Sequence, residues 1–313
     1  MTAPTLSLVV ATRGRDRELR RLLTSLEAVE EPAIEVLIVD QNADSRLDAL
    51  LASAGRTMSL RHLKTEPLGA SHARNHGARR ASAPWLAFPD DDCWYGPDTL
   101  ARLLDAARAA GAGFAAGRPS DAEGREIMGR FRATPGPIGE ADVWSCLIEW
   151  LSVVRTDAFR AVGGFDTRIG PGSGTPWGAC EIQDLALRLL RAGAAGTYDP
   201  TIRGYHESDR PAGVSRADRA RMRRYGAGCG HVFAKHGLPH RDFAPMLGRP
   251  LAGMAVFAAT GRWRRAARSF ALLRGRIEGR LADPRPGPAP AGEPGGAEPC
   301  ATRRDPARPP NRA

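Results

Sequence analysis

The segment TLSLVVATRGRDRELRRLLTSLEAVEEPAIEVLIVDQN, residues 5–42, decides the fold class. Its two apolar runs, Thr5–Ala11 and Ile34–Asp40, have the length and composition of buried strands. Between them, leucines at 19, 22, 23 and 26 recur at the spacing of one helical face, which predicts a helix over Asp16–Glu27. A buried strand, a helix and a second buried strand are typical of a parallel sheet covered by helices.

The same alternation continues to residue 118 and then becomes less regular. We therefore predict an α/β fold with a mostly parallel, Rossmann-like sheet flanked by helices. The further predicted strands are Leu60–Leu63, Trp85–Pro89, Phe114–Arg118, Leu151–Val154 and Thr201–Tyr205, and the further helices are Ser45–Ala54, Ser71–Ala81, Asp98–Ala110, Glu181–Ala192, Asp218–Lys235 and Pro245–Leu281. Residues 119–142 are rich in Gly, Pro and charge and predict a long loop.

Composition limits the possible function classes. The chain has 313 residues, of which 42% are hydrophobic and 26% charged, so it can build a core. The net charge of +10 comes almost entirely from arginines scattered along the chain, and aromatics are only 6%. Nucleic-acid binding favours basic residues clustered on one face, so we expect no nucleic-acid partner.

Cysteine spacing and apolar run length predict the compartment. None of the five cysteines forms a CxxC pair, which argues against a disulfide framework or zinc finger and favours a reducing cytosol. No stretch approaches the ~20 apolar residues that span a bilayer. No basic segment precedes the short apolar run Leu6–Ala11, so we expect no signal peptide.

The sharpest local motif is FPDDDCWY, residues 88–95. Asp90, Asp91 and Asp92 follow a predicted strand, and the carboxyl ends of parallel strands line the ligand crevice. Three adjacent carboxylates repel one another unless a cation is present, and Mg²⁺ or Mn²⁺ prefers oxygen ligands shared with phosphates. The alternative is a solvated acidic turn or a cap for the helix near Asp98.

A second carboxylate, Asp40, ends the strand VLIVD. At that position an acidic side chain can bind the ribose or base of a nucleotide, although an Asp at a strand-to-turn junction is also ordinary. The first strand ends in ATRGR rather than GxGxxG. This argues against a dinucleotide oxidoreductase, because the glycines that admit a pyrophosphate are missing.

Two further clusters accompany these carboxylates. In GASHARNHGARRA, residues 69–81, Arg74 lies early in a helix whose N-terminus suits a diphosphate, although a solvated arginine face is the plainer interpretation. In residues 163–190, a glycine-rich loop with Gly174 and Trp177 leads into a helix bearing Glu181 and Asp184 on one face. The acids suit helix capping, whereas a glycine-rich loop bearing an aromatic suits a substrate lid.

In their order and spacing these motifs resemble a family 2 glycosyltransferase of the GT-A fold. The resemblance covers about residues 5–236 and rests on VVATRGR, VDQN, GASHARN, FPDDDCWY, GGFD, and the GSGTPW loop followed by E-x-x-D-L. It implies an inverting transfer of a sugar from a nucleotide-diphosphate sugar to an acceptor hydroxyl, with Mn²⁺ or Mg²⁺, in cell-surface glycan or glycolipid synthesis. The acceptor would be a glycan or a lipid-linked acceptor.

The resemblance also implies roles for individual residues. The donor-binding residues are Ala11, Thr12, Arg13, Asp40, Arg74, Asp90 and Asp91. The metal ligands are Asp92, Asp90 and His206, although a lone histidine is more often structural. The acceptor or lid residues are Trp177 and Gly174, and the catalytic acids are Glu181 and Asp184.

The sequence departs from the family at the catalytic helix. Many members carry Glu-Asp there, with the Asp as base, whereas this chain has Ile182 at the second position. We therefore expect Glu181 to be the base and Asp184 to be its partner or an acceptor contact, with the reverse assignment left open. The Q-x-x-R-W motif and membrane spans of the processive synthases are absent from the sequence, which predicts transfer of one or a few sugars.

The predicted domains are a catalytic domain, 1–236, with a nucleotide-binding half, 1–118, and an acceptor-binding half, 119–236. A helical extension, 237–282, and a disordered tail, 283–313, follow, because the tail holds nine prolines and little apolar bulk. Residues 251–281 combine arginines with apolar residues, which fits either a peripheral contact with the inner face of the plasma membrane or a helix packed on the catalytic domain.

Two other function classes stay open. A nucleotidyltransferase or another metal-dependent nucleotide-binding α/β enzyme would also use metal-bound carboxylates, but a nucleotidyltransferase releases pyrophosphate rather than a nucleoside diphosphate. A non-catalytic sugar-binding module would never turn the donor over.

Overall fold

The computed structural model describes residues 3–29, 32–207 and 214–282. The predicted tail, 283–313, lies outside the described residues. The strands are β1 (Leu6–Thr12), β2 (Ile34–Asp40), β3 (Leu60–Lys64), β4 (Trp85–Ala87), β5 (Cys93–Tyr95), β6 (Phe114–Ser120), β7 (Gly136–Ile138), β8 (Ser152–Arg155) and β9 (Gly196–His206).

Helices connect and cover these strands. They are α1 (Arg17–Glu27), α2 (Asp48–Ala54), α3 (Ala70–Ala78), α4 (Thr99–Ala109), α5 (Val143–Cys146), α6 (Thr156–Ala161), α7 (Glu181–Arg191), α8 (Arg216–Lys235), α9 (His240–Ala259) and α10 (Trp263–Leu281), with a 3₁₀ turn at Glu149–Leu151. The predicted α/β fold with C-terminal helices is therefore confirmed.

The sheet runs in the order β3-β2-β1-β4-β8-β6-β9-β5, with β7 paired to β9. The first four strands of this order are parallel, which aligns their carboxyl ends along one edge. Beyond β4 the sheet is mixed, because β8 is antiparallel to both of its neighbours, β4 and β6. The parallel half therefore has the carboxyl edge at which open α/β sheets bind ligands, and the mixed half continues the sheet beyond β4.

Each face of the sheet carries its own hydrophobic core. One core joins the sheet to α1, α2 and α4, and includes the leucines 19, 22, 23 and 26 that predicted α1. The other joins the sheet to α3, α6, α7 and α8, with Phe88, Phe159 and Phe165 packed ring against ring. Helices on both faces account for the continuously apolar strands β1 and β2.

The second half differs from its prediction in several places, which include the unpredicted short helices α5 and α6. The final strand is longer than Thr201–Tyr205, since β9 begins at Gly196, and the predicted loop 119–142 contains β7, which pairs with β9. The single predicted helix Pro245–Leu281 is two helices, α9 and α10. The chain reverses at Gly261, whose φ of 69° is a conformation that glycine adopts without strain.

Helix α10 packs along α8 through glycines on both helices. A Cβ at Gly226 or Gly230 of α8 would overlap backbone carbonyls of α10, and a Cβ at Gly275 or Gly279 of α10 would overlap carbonyls of α8. The two helices therefore approach more closely than side chains would permit. Helix α8 also contacts the start of α7, because a Cβ at Gly228 would overlap the backbone of Ala179.

Candidate active site

The motif residues gather where β1, β2 and β4 end. Thr12 is the last residue of β1, Asp40 is the last residue of β2, and Asp90 forms a parallel bridge to Ala11 just beyond β4. The predicted edge of the sheet therefore brings the ATRGR loop, Asp40 and the three aspartates together.

Asp91 and Asp92 are held by Arg15, a residue that the sequence interpretation did not select. The Arg15 guanidinium donates to Asp91 Oδ1 at 2.6 Å and to Asp92 Oδ2, and Thr12 donates its hydroxyl to Asp91 Oδ2 at 2.8 Å. Burial raises the pKa of Asp91 despite the nearby guanidinium. One guanidinium thus contacts two of the three carboxylates.

His206 meets Asp92, as the sequence predicts for a shared site. Its Nε2 lies 3.0 Å from Asp92 Oδ1, and its Nδ1 lies 2.7 Å from the carbonyl of Glu207. Burial alone would lower the pKa of His206, but the hydrogen bond and charge of Asp92 outweigh it, so the pKa is raised. For Asp92 burial would raise the pKa, but His206 and Arg15 lower it.

Arg74 links the aspartate motif to helix α7, which carries Glu181. The side chain is 3% exposed and donates from Nη2 to Asp90 Oδ1 at 2.7 Å and from Nη1 to Glu181 Oε1 at 2.9 Å. Burial raises the pKa of Asp90 to about 6, and the neighbouring Asp92 and Asp91 add to this while Arg74 opposes it. Asp90 and Glu181 therefore lie on either side of one guanidinium.

Glu149 is a second residue that the sequence interpretation missed. The 3₁₀ turn places its Oε1 3.9 Å from Arg74 Nη2, beside Glu181 and Asp90. Burial and the charges of Glu181 and Asp90 raise the pKa of Glu149 to about 8, so this carboxyl holds a proton at neutral pH. No local motif marks the residue, because only the tertiary fold carries the turn to the crevice.

Asp184 lies one turn along α7 from Glu181 but joins a different group. It is fully buried, and Arg188, Lys235 and His236 contact its carboxylate at 2.8, 2.6 and 2.8 Å. Burial would raise its pKa, but the hydrogen bond from His236 and the charges of Arg188 and Lys235 lower it to about 2. Asp184 therefore ties α7 to the end of α8 and does not join Asp90, Arg74 and Glu181.

Asp40 lies beneath the crevice with both oxygens engaged. Asn42 donates from its backbone and side-chain nitrogens to Oδ1, while His62 Nε2 and Lys64 Nζ each lie 2.9 Å from Oδ2. Burial would raise the pKa of Asp40, but Lys64 and the other hydrogen bonds lower it. A nucleobase at this position would meet His62 and Lys64 as well as Asp40.

The glycine-rich loop packs against α3 and α8. Trp177 is half-buried and stacks on His231 of α8, with ring centroids 4.3 Å apart and planes 4° from parallel. Gly174 is exposed. Gly170, with φ of 112°, leaves room for Glu181, because a Cβ there would lie 3.0 Å from the Glu181 carboxyl carbon. Trp177 is thus less exposed than a free lid residue, and its role stays a prediction.

Comparison with known proteins decides the family. Residues 7–137, which include Arg74 and the three aspartates, match the model described as Glycosyl transferase family 2. This part of the chain is therefore identified as family 2 glycosyltransferase sequence. The predicted recognition is therefore confirmed from the chain's own motifs and from this match.

Relatives with curated names match about a third of the chain. A Haemophilus influenzae protein described as an uncharacterized glycosyltransferase is 31% identical over 99 residues, which cover 32% of this chain and 33% of the relative. Validoxylamine A glucosyltransferase of Streptomyces hygroscopicus subsp. limoneus is 34% identical over 107 residues, covering 33% and 24%. The match thus spans a third or less of the length of these relatives.

Solved structures resemble the fold of this chain over most of its length. The mannosyltransferase PcManGT from Pyrobaculum calidifontis, in complex with GDP-Man and Mn²⁺, aligns with a TM-score of 0.62 at 18% identity, over 89% of this chain and 87% of its own. S. aureus TarS 1–349, in complex with UDP-GlcNAc, aligns with a TM-score of 0.53 at 14% identity, over 86% and 90%. At these identities the likeness shows the GT-A fold.

The side chains of the crevice suit a divalent cation that is shared with a ligand. Among residues 3–29, 32–207 and 214–282, no three or more His, Cys, Asp or Glu side chains form a group that could hold a metal ion. Asp92 and His206 supply one oxygen and one nitrogen close together. A hard cation that keeps waters and binds phosphate oxygens needs only one or two protein ligands.

Proposed function

We propose that the chain is an inverting glycosyltransferase that moves a sugar from a nucleotide-diphosphate sugar to an acceptor hydroxyl. The observation that carries the proposal is the single buried guanidinium of Arg74 between Asp90 and Glu181 at the carboxyl edge of the sheet. It joins the motif on the leaving-group side to the acid on the acceptor side. The family 2 match and the glycosyltransferase names of the relatives support it.

The diphosphate of the donor fits the crevice floor. Arg15 and Arg74 supply guanidinium groups, and Arg13 is exposed on the same loop as Arg15. A diphosphate that approached Arg15 would compete with Asp91 and Asp92 for that guanidinium, and would free those two carboxylates to face a cation. Arginine suits this exchange because its planar fork binds either carboxylate or phosphate.

Asp92 and His206 would hold Mn²⁺ or Mg²⁺, with Asp90 close by. When bound, the cation would neutralise the charge that grows on the nucleoside diphosphate as it leaves. Burial raises the pKa of Asp90 to about 6 and the charges of Asp92 and Asp91 add to this, so a bound cation would favour the ionised form of this carboxyl. PcManGT is described with Mn²⁺, which supports a divalent cation here.

Glu181 is the proposed base. Arg74 occupies its Oε1, which leaves the second oxygen to take the proton of an acceptor hydroxyl as that hydroxyl attacks the anomeric carbon. A single in-line displacement forms the new glycosidic bond, breaks the bond to the diphosphate and inverts the anomeric configuration. Ile182, in the position of the family's usual base, is buried and cannot accept a proton.

The acceptor and the place of action are proposed only as classes. The acceptor is a glycan or a lipid-linked glycan of a cell-surface polysaccharide or glycolipid. The chain would act in the cytoplasm, at the inner face of the plasma membrane when the acceptor is lipid-linked. Within the described ranges, no helix is both long and apolar enough to cross a bilayer.

A nucleotide-sugar screen tests the proposal. The protein is incubated with UDP-, GDP- and dTDP-sugars, with Mn²⁺ or with EDTA, and nucleoside diphosphate and pyrophosphate are measured separately. We expect slow, Mn²⁺-dependent release of nucleoside diphosphate from one donor class, lost in Asp92→Asn. Release of pyrophosphate would indicate a nucleotidyltransferase. Thermal protection by a donor that is never cleaved, even with pooled glycan acceptors, would indicate a binding module.

A further inference from the structure

The C-terminal helical hairpin, α9 and α10, exposes large apolar side chains to solvent. On α10, Trp263, Phe270 and Ile277 recur every seven residues, so they lie on one face, and Leu281 continues it one turn later. Their exposures are 68%, 50%, 41% and 80%. The opposite face of α10 is the glycine face that packs on α8, so the apolar face does not serve the core.

Helix α9 adds exposed apolar residues to the same hairpin. Leu251 is 45% exposed and Val256 is 58% exposed. Exposed large hydrophobic residues of the described chain are concentrated here, since six of eight lie between residues 251 and 281. Such a concentration marks a surface with a partner, whereas single exposed hydrophobics elsewhere need no explanation.

The charge of the hairpin indicates which partner. Residues 243–277 contain seven arginines and no acidic residue. Arg249, Arg262, Arg264 and Arg265 are exposed, and none of these four is within ion-pair distance of an acidic side chain in the described part of the chain. The surface thus combines exposed apolar side chains with arginines that have no acidic partner. Such a surface is complementary to a lipid interface, which has anionic headgroups above an apolar interior.

We infer that the α9–α10 hairpin binds the interface of an anionic lipid bilayer, with Trp263, Phe270, Ile277 and Leu281 inserted and the arginines at the headgroups. A second copy of the chain is a poorer occupant, because two such surfaces would oppose their arginines. The tail, 283–313, is also a poorer one, since it has no Leu, Ile, Val, Met, Phe, Tyr or Trp to offer. The inference stands independently of the proposed sugar transfer.

Co-sedimentation of the full chain with vesicles tests the inference. Vesicles of 30% phosphatidylglycerol in phosphatidylcholine are compared with pure phosphatidylcholine at low and high salt. We expect binding to the anionic vesicles alone, weakened by at least about tenfold at high salt. Brominated lipid should quench the emission of the wild type more than that of Trp263→Phe. An unbound wild type at low salt, with unchanged emission, overturns the inference.

Matched variants separate the apolar and charged parts. The double variant Trp263→Ser/Phe270→Ser should lower the vesicle partition coefficient by at least about tenfold. The control Leu68→Ser changes an exposed leucine outside the hairpin and should leave that coefficient unchanged. The double variant Arg264→Gln/Arg265→Gln should weaken vesicle binding and reduce its salt dependence. The control Arg79→Gln/Arg80→Gln, at two exposed arginines outside the hairpin, should change neither. Circular dichroism checks that each variant is folded.

Two results would assign the surface elsewhere and overturn the inference. The first is a lipid-free dimer in solution that Trp263→Ser/Phe270→Ser dissociates, because the occupant would then be a second copy. The second is vesicle binding that appears only after residues 283–313 are deleted, because the tail would then be the occupant. Vesicle binding can fail while nucleotide-sugar turnover persists, so the two proposals are tested separately.

Discussion

Two carboxylate clusters share helix α7 and differ in their balance of charge. In the crevice cluster, Asp90, Asp91, Asp92, Glu149 and Glu181 face Arg15, Arg74 and His206. In the helix-end cluster, Asp166 and Asp184 face Arg168, Arg188, Lys235 and His236. Acids are in surplus in the first and cations in the second.

The pKa directions follow this balance. Burial raises the pKa of Asp90 to about 6 and that of Glu149 to about 8, because the crevice supplies too few cations to oppose it. At the helix end burial is overcome, so the pKa of Asp184 falls to about 2 and that of Asp166 is lowered as well. This difference supports our proposals that the crevice cluster binds a cation and that Asp184 has a structural role.

The largest expected effect comes from Asp92→Asn in the crevice. An amide lacks the anionic charge that a hard cation needs, so transfer should fall to below about 10⁻³ of the wild-type rate. Mn²⁺-dependent donor binding, measured by calorimetry, should be lost while the melting temperature stays within a few degrees. Wild-type rates at limiting Mn²⁺ would remove Asp92 from the metal site.

Glu181→Gln should leave donor affinity nearly unchanged and lower kcat by about 10² to 10⁴-fold, as expected for loss of a general base. The amide keeps the shape and can still meet Arg74. Single-turnover kinetics with saturating donor measure the step. If Asp184→Asn were instead the inactive variant, and Glu181→Gln nearly active, the roles of the two acids would be exchanged.

Asp184→Asn tests whether the helix-end cluster stabilises the fold without taking part in transfer. Removing this carboxylate leaves Lys235, His236 and Arg188 without their counterion, which should cost about 3 kcal/mol of unfolding free energy. The folded variant should retain kcat within a fewfold. Asp157→Asn, at an exposed pair with Arg155, is the control and should change stability by less than about 1 kcal/mol.

The pH dependence of the Asp184→Asn effect has a definite sign. Because the folded pKa of Asp184 lies below the unfolded value, its contribution to stability is present above about pH 4 and is lost as the pH falls toward 2. The difference in unfolding free energy between wild type and variant should therefore shrink over that range. A difference that stays constant down to pH 2 would contradict the assignment.

The smallest effect is expected from Glu149→Gln. Its carboxyl is protonated at neutral pH, so the amide resembles the native form and kcat at pH 7 should change by less than about threefold. Because the pKa of Glu149 is higher in the folded state than in the unfolded state, its contribution to the unfolding free energy falls as the pH rises from about 4.5 to 8. In EDTA, the variant should therefore lose less stability than the wild type over that range. Equal losses would place the Glu149 pKa near its ordinary value.

The sequence predicted what local pattern controls. Apolar runs and leucine spacing gave β1, β2, β4 and α1, because strands and helices have distinct periods. Ordered motifs gave the family and brought Arg74, Asp90 and Glu181 to one crevice. The parallel half of the sheet follows from the same alternation of strands and helices.

Tertiary contacts controlled what the sequence did not predict. Glu149 reaches the site on a 3₁₀ turn that no sequence motif marks. Arg15 is one of forty-three arginines, and nothing in the sequence distinguishes it from the others. Spacing alone placed Glu181 and Asp184 together on one helical face, but their surroundings differ because α8 ends beside Asp184 and not beside Glu181. Charge balance distinguishes the two acids, and it is visible only once the fold brings distant cations together.

The close contact between α8 and α10 restricts which sequences can form this fold. Gly226, Gly230, Gly275 and Gly279 take no part in chemistry, yet any larger residue would push two backbones apart. Since α8 also carries His231, which stacks on Trp177, that displacement would reach the loop beside Glu181. In a saturation mutagenesis library selected for activity, these four glycines should therefore tolerate replacement as poorly as Asp92, although they lie outside the crevice.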